Sequence, residues 1–301
     1  VDNLFHSNIG ELAALASALC CTVSPIAFET AGKKVGSLSV NYLKLIFAFI
    51  FTGLYTLVNR GMFLPLDASL TNWTWLFVSG IIGFVIGDLF LFQAYIEIGS
   101  RLSTLIMATV PPISAIAGYF ILGERLSSRD LIGMLITLAG IALVILVKGS
   151  DEKKIKLSHP LKGLIYALIG AFGQAFGLIC SKFGMGNYDP FAATQIRVIS
   201  AFVGFTIVIT IANGWKNLFS TFKDTSAMKS ITIGSIFGPF LGVALSLLSV
   251  QYTATGIAST ISSISRILII PASMVIFKEK VSAKEVIGAL ITIVGVGILF
   301  L

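Results

Sequence analysis

The chain has 301 residues, of which 56% are apolar and 12% charged, and its mean hydropathy is +0.95. An ordinary soluble domain carries roughly 25% charged residues, so lipid must be the solvent for most of this surface; the composition excludes a disordered chain, a disulfide scaffold and a conventional soluble enzyme. The net charge of +7 arises from 21 Lys and Arg against 14 Asp and Glu, and the basic residues sit mostly in short gaps between apolar runs, where they set orientation and meet anionic headgroups rather than nucleic acid.

A membrane-spanning helix needs about 20 mostly apolar residues. In chain order the sequence predicts ten: Ile9–Ala31, Leu38–Val58, Trp73–Tyr95, Arg101–Ile121, Leu131–Val147, Leu161–Lys182, Phe191–Asn213, Ala227–Gln251, Ile257–Phe277 and Val281–Leu301. Breakers and charges fill the gaps, as at Gly32-Lys33-Lys34, Asn59-Arg60-Gly61 and Asn187-Tyr188-Asp189-Pro190. The first run is approached through Asp2, Asn3 and His6, without a basic segment, so no cleavable signal is expected. Cys20, Cys21 and Cys180 read as small core residues, and with no CxxC or metal-ligand spacing neither a metal nor a cofactor is expected.

The longest polar stretch, Lys148–His159, falls near the middle, and the two sides of it match. A shift of 155 residues lays 124–140 on 279–295 with eight of seventeen positions identical, among them Ser127/Ser282, Gly133/Gly288, Thr137/Thr292 and Gly140/Gly295. A shift of 153 puts Lys44 on Arg197. The expected organisation is therefore a five-helix repeat over 1–148, a polar linker over 149–160, and a second five-helix repeat over 161–301. An odd number of spans per repeat forces the second copy to enter the membrane inverted. The fold class is thus an all-α integral membrane protein of ten helices in two inverted repeats, the build of many secondary transporters, whose substrate site lies near the midplane between the copies.

These residues carry a resemblance. Gly123-Glu124-Arg125-Leu126-Ser127, followed by Ile132-Gly133 and Gly140 and copied at Lys278-Glu279-Lys280-Val281-Ser282, resembles the end of each EamA domain, in the drug/metabolite transporter superfamily. Gly87-Asp88-Leu89-Phe90 running to Ala94-Tyr95 is similar to one EamA subgroup, as are the basic residues Lys44 and Arg197 in the second helix of each repeat. Relatives commonly carry proline in the fourth helix of both repeats. Here repeat one has Pro111-Pro112, but the aligned position in repeat two is Arg266 and the proline comes later, at Pro271. The resemblance implies export or exchange of small metabolites without ATP hydrolysis, and it leaves the metabolite open.

Four charges lie well inside the spans: Lys44, Asp88, Arg197 and Arg266. Each costs at least about 2.5–3.5 kcal/mol in hydrocarbon and needs a reason. At about 1.5 Å rise per residue, Asp88 and Lys44 come to the same depth. Either they form a buried ion pair, or Asp88 faces the pathway and binds a cation or carries a proton. Arg266 is near mid-membrane with no acid close in sequence; it lines the cavity and receives a carboxylate or phosphate, or it bonds Asp88 or freed carbonyls. Inversion places Arg197 and Lys44 on opposite sides of the midplane, so the two are not expected to serve one charge; Gln174 is the candidate partner of Arg197. Glu29 and Lys182, aligned between repeats, read as snorkelling to the interface.

Ser259 and Ser262 share a helical face with Arg266, and Phe92, Tyr95 and Pro111 complete the candidate pathway. Gly83/Gly87 and Gly170/Gly173/Gly177 read as close-packing sites, and Pro25, Pro111, Pro239 and Pro271 as places that free carbonyls. With no P-loop, no catalytic triad and no zinc motif, the chain is not expected to be an enzyme.

The leading function is a secondary transporter of small polar metabolites in the cell (plasma or inner) membrane. Its partners are a small-molecule substrate, the lipid bilayer and a proton or counter-substrate. The alternatives are a multidrug exporter of lipophilic cations, using Asp88, Phe92, Tyr95 and Phe176, and a non-transporting scaffold. Counting the gaps together with the span edges beside them, 14 Lys and Arg follow helices 1, 3, 5, 7 and 9 and 4 follow the others. The positive-inside rule then puts the first set in the cytoplasm and both termini outside.

Overall fold

The computed structural model describes residues 9–122, 127–148, 155–157, 160–252, 261–262, 264–278 and 281–300. Helix α1 (Ile9–Val35) turns into α2 (Ser37–Arg60) through Gly36 alone, whose φ of 83° a side chain would strain. Gly61, left-handed at φ 70°, ends α2 by donating its N–H to the Leu57 carbonyl. Ser69 and Asn72 form a reciprocal cap that starts α3 (Leu70–Gly80). A π-helical segment (Ile81–Gly87) joins α3 to α4 (Asp88–Ile106), and a 3-10 turn (Met107–Thr109) leads into α5 (Val110–Leu122). Helix α6 (Ser128–Ile145) ends the first half.

Two three-residue strands, β1 (Leu146–Lys148) and β2 (Ile155–Leu157), pair antiparallel where a plain polar linker was expected. Then follow α7 (Leu161–Met185), α8 (Pro190–Ile211) with Asp189 as its cap and Pro190 at its first position, and a short α9 (Trp215–Thr221) that the hydropathy pattern did not reveal. Helix α10 (Thr225–Ser235) passes through a second π segment (Ile236–Phe240) into α11 (Leu241–Tyr252). Helices α12 (Ser265–Phe277) and α13 (Ala283–Phe300) complete the described chain.

Among the described residues, seven helices are long and apolar enough to cross a membrane. One of them, the 48-residue stretch Leu70–Ala117, covers two expected spans. It breaks at Gly99 (φ 80°, ψ 158°), where the chain reverses. The outward faces are apolar, with Leu19, Leu135, Phe120 and Val275 all exposed, which suits a lipid solvent.

Small residues let the helices approach closely. A Cβ on Gly177 would press on Gly83 and one on Gly173 on Gly87, so α7 lies directly against the first π segment. The α6–α13 contact is reciprocal. A Cβ on Gly140 would collide with Thr292, and one on Gly295 with Thr137, while Thr137 and Thr292 each donate at 2.8 Å to the carbonyl four residues back, Gly133 and Gly288. Gly140→Leu is expected to cost about 1–3 kcal/mol or more by overpacking. Leu135→Ala, on the exposed side of the same helix, is expected to change little. Thermal unfolding in detergent compares the two.

Polar contacts define the two ends of the bundle. At the linker end, Lys162 meets Glu97 (3.2 Å), Asn217 donates to the Val35 carbonyl (2.9 Å) and Arg101 pairs with Glu285 (3.0 Å). At the opposite end, Arg60 pairs with Asp67, Tyr188 donates to Asp67 (2.8 Å) and Gln195 donates to the Phe63 carbonyl (2.7 Å).

Candidate functional site

A cavity of about 850 Å³ enters the bundle. Each helix around it presents one stripe at three- and four-residue spacing, as with Cys21, Ser24, Pro25 and Phe28 on α1, and Met107, Val110, Pro111 and Ser114 ahead of and along α5. Its lining reaches Asp130, Lys182, Gly186 and Asn187, so the cavity opens at the end away from the linker.

Asp88, Lys44, Gln174, Phe92, Tyr95, Pro111, Ser262 and Arg266 all line this one cavity. They come from five different predicted spans. Ser259 lies outside the described residues.

Asp88 heads α4 directly after the first π segment. Lys44 Nζ donates to its Oδ2, and Gln174 Nε2 donates to its Oδ1 at 2.7 Å. Gln174 Nε2 also lies 3.2 Å from the Gly83 carbonyl, in the loosely bonded π turn. The Lys44 ammonium stands 3.9 Å over the Phe92 ring. The pair is almost wholly buried, with side chains 3% and 9% exposed. Of the two readings of Asp88, the geometry realises the ion pair, at a position that still borders the cavity.

Arg197 departs from expectation. It does not line the cavity; its guanidinium stacks 4.5 Å from the Phe84 ring centre, and it acts electrostatically on Asp88. One carboxylate therefore does stand in the field of both Lys44 and Arg197. Gln174, the partner expected for Arg197, instead spends its amide on Asp88 and Gly83.

Arg266 is held loosely. Pro111 has no N–H to offer the Met107 carbonyl four residues back. That carbonyl accepts from Val110 N–H and from Arg266 Nη2 at 3.3 Å. Arg266 Nε is buried with no hydrogen-bond partner, and so is Ser114 Oγ on the same cavity wall. Buried donors without partners are rare enough to need an explanation. The repeat shift aligns Pro111 with Arg266, so the residue that frees the carbonyl and the residue that uses it stand at matching positions.

Three other expectations change. Glu29 does not snorkel: it is 1% exposed, pairs with Lys33 and accepts the Ser100 N–H at 2.5 Å, capping the helix that restarts after Gly99. Cys21 is exposed on the cavity wall rather than in the core, whereas Cys20 is buried. Phe176 points outward, away from the cavity. Sequence reasoning missed Cys21, Ser24, Ser114 and Ser265 as lining residues; the spacing of Cys21 to Pro25, Pro111 to Ser114 and Ser262 to Ser265, at three or four residues, was the available signal, and Ser24 follows Cys21 by three.

Cys21 offers a probe, because Arg266 acts on it electrostatically. With Cys20 and Cys180 changed to alanine, an anionic methanethiosulfonate is expected to modify Cys21 faster than a cationic one of similar size. Arg266→Gln should erase that preference. Equal rates in the parent protein would show that the arginine does not set the field in the cavity.

The pattern of the EamA-like transporter family matches twice, over residues 8–146 and 161–301. The chain belongs to this family. It is similar to an uncharacterized transporter of Archaeoglobus fulgidus, 24% identical over 294 residues, 96% of this chain and 97% of the relative. A protein of known crystal structure shares the fold with a TM-score of 0.63 at 15% identity, over 97% of this chain and 96% of that one. The chain is accordingly a multi-pass helical membrane protein of a transporter family.

Proposed function

We propose that this protein is a secondary transporter that moves a small metabolite bearing an anionic group, by alternating access around the cavity and with no catalysis of its own. The observation that carries this is Arg266: a guanidinium on the cavity wall, bonded only weakly to a carbonyl, with an unpartnered Nε and an unpartnered Ser114 hydroxyl on the same wall. A guanidinium there suits a carboxylate or phosphate, and it repels a lipophilic cation. That weighs against the multidrug reading, as does the outward-facing Phe176.

The architecture we propose is ten spans in two inverted repeats, 1–148 and 161–301, joined by the linker 149–160. Three structural parallels support it. The π segments begin at Ile81 and Ile236, positions related by the same shift as the sequence repeat. Ser127/Asp130 and Ser282/Glu285 form the same cap at matching helix starts. Gly140 and Gly295 trade contacts with Thr292 and Thr137.

Counterflow in proteoliposomes, with amino acids, organic acids, nucleotides and cationic drugs, tests the function. Exchange of anionic or zwitterionic compounds is expected. Exchange of cationic drugs alone would overturn the reading, and no exchange of any class would favour the scaffold. The basic bias of the linker end puts that end in the cytoplasm, so the cavity opens outward and a C-terminal reporter active only in the cytoplasm should be silent. A strong reporter signal would reverse the orientation.

A further inference from the structure

Behind Arg266 lies a second, much smaller chamber of about 20 Å³, room for roughly one water. Leu102, Leu105, Val144 and Ile270 form its apolar walls, and Arg101 and Glu285 stand at its edge. Among the described residues lining the chamber, Arg266 alone also lines the large cavity. The two spaces thus meet at one side chain. The large one opens away from the linker; the small one is directed at the linker end, where Arg101 of α4 meets Glu285 of α13 at 3.0 Å.

That end is drawn together by contacts between several helices. Glu29 of α1 holds the Ser100 N–H beside the Gly99 break, Lys33 of α1 lies 5.0 Å from the Phe277 ring centre at the end of α12, and Arg101 reaches α13. Among the described residues, the matching positions at the opposite end border the large cavity instead. By the repeat shift Glu285 corresponds to Asp130, and Asp130 borders the open mouth of the large cavity. Glu29 corresponds to Lys182, which also borders that mouth and is exposed. Among the described residues, then, Glu29 and Glu285 tie helices together at the linker end, while their counterparts Lys182 and Asp130 line the large cavity.

We infer that the translocation route continues past Arg266 into the small chamber and leaves at the linker end, and that the Arg101–Glu285 pair is its closed gate. The cargo is the anionic metabolite proposed above, so the inference rests on the transporter reading. Arg266 is the last binding group before the gate. When the gate opens, the anion bound at Arg266 gains a path whose next cation is Arg101, released from Glu285.

The test uses full-length protein in membrane vesicles, without cysteines other than the one introduced. Leu105→Cys reports on the chamber, Lys162→Cys marks the linker face, and Ala201→Cys, fully buried in the core, reports general loosening. A membrane-impermeant thiol reagent is applied from the linker face. Glu285→Gln removes the charge but keeps a residue suited to the helix cap. It is expected to speed labelling of Leu105→Cys by about two- to fivefold, the shift in population that losing one ordinary ion pair produces. Labelling of Ala201→Cys should not change, and exchanging the two charges (Arg101→Glu with Glu285→Arg) should return the slow rate. An unchanged rate at Leu105→Cys would overturn the gate. A rise at Ala201→Cys as well would make the pair a staple of the fold and overturn it equally. Labelling needs no cargo and no transport, so this result is independent of whether counterflow bears out the transporter reading.

Discussion

Arg266→Lys is expected to leave the protein folded and to weaken binding of an anionic cargo by about 1.5–3 kcal/mol, the worth of one hydrogen bond to a charged group. Lysine keeps the positive charge, so a loss of that size would measure geometry rather than net charge. The guanidinium already spends one nitrogen on the Met107 carbonyl and leaves Nε unpartnered in a buried setting. A carboxylate or phosphate oxygen would satisfy Nε; an ammonium has no planar fork with which to copy the arrangement. Arg266→Gln removes the charge as well and should weaken the anion further, while sparing an amide or ester analogue of the same cargo. Ser114→Ala should show a smaller loss for both forms, since a neutral hydroxyl contributes about 0.5–1.5 kcal/mol. Equilibrium binding of the charged and neutral analogues to the three variants separates these effects. If neither arginine variant alters the preference for the anion, Arg266 is structural and the cargo needs no negative charge.

Pro111 explains why this arginine is available. In an uninterrupted helix the Met107 carbonyl would also accept from the residue four on; with proline there, it accepts from Val110 N–H and has room for Arg266 Nη2. The sequence pattern pointed to both residues, one as a helix breaker and the other as an unpaired charge. It offered a freed carbonyl as one partner of the arginine but could not say which, because α5 and α12 are separated by more than 140 residues of chain. Depth along a span was legible in the same way: Lys44 and Asp88 came to one level from helix rise alone, and the structure pairs them. Rotation about the helix axis was not legible. The π segment at Ile81–Gly87 widens one turn just before Asp88, so the face on which Asp88, Arg197 and Gln174 meet could not be read from a 3.6-residue period. For the same reason Gln174 was matched to Arg197, and Phe176 was set among the pathway aromatics although it points outward. Glu29 was misjudged for a different cause. A charge one turn from a helix end reads as interfacial, but here the Gly99 reversal brings a free backbone N–H beneath it and buries it.

The buried pair itself should separate structural from transport roles. Asp88→Asn leaves the Lys44 ammonium, 3% exposed, with no countercharge. A buried charge stripped of its partner costs about 3–5 kcal/mol, so this variant is expected to unfold markedly earlier in detergent. Lys44→Met should be milder, because Asp88 retains the Gln174 amide and the field of Arg197. The double variant Lys44→Met with Asp88→Asn removes both charges together, leaves the net charge of the cluster unchanged, and should regain most of the stability, as hydrophobic replacement of buried pairs often does. It should also regain gradient-driven accumulation. Both Asp88 oxygens are engaged, Oδ2 by Lys44 and Oδ1 by Gln174. That leaves the carboxylate committed to the scaffold rather than to a passing cation or proton. A double variant that melts like the parent yet no longer accumulates substrate against a gradient would reverse this assignment: the pair would then be the coupling site, and its burial would be one stage of the transport cycle.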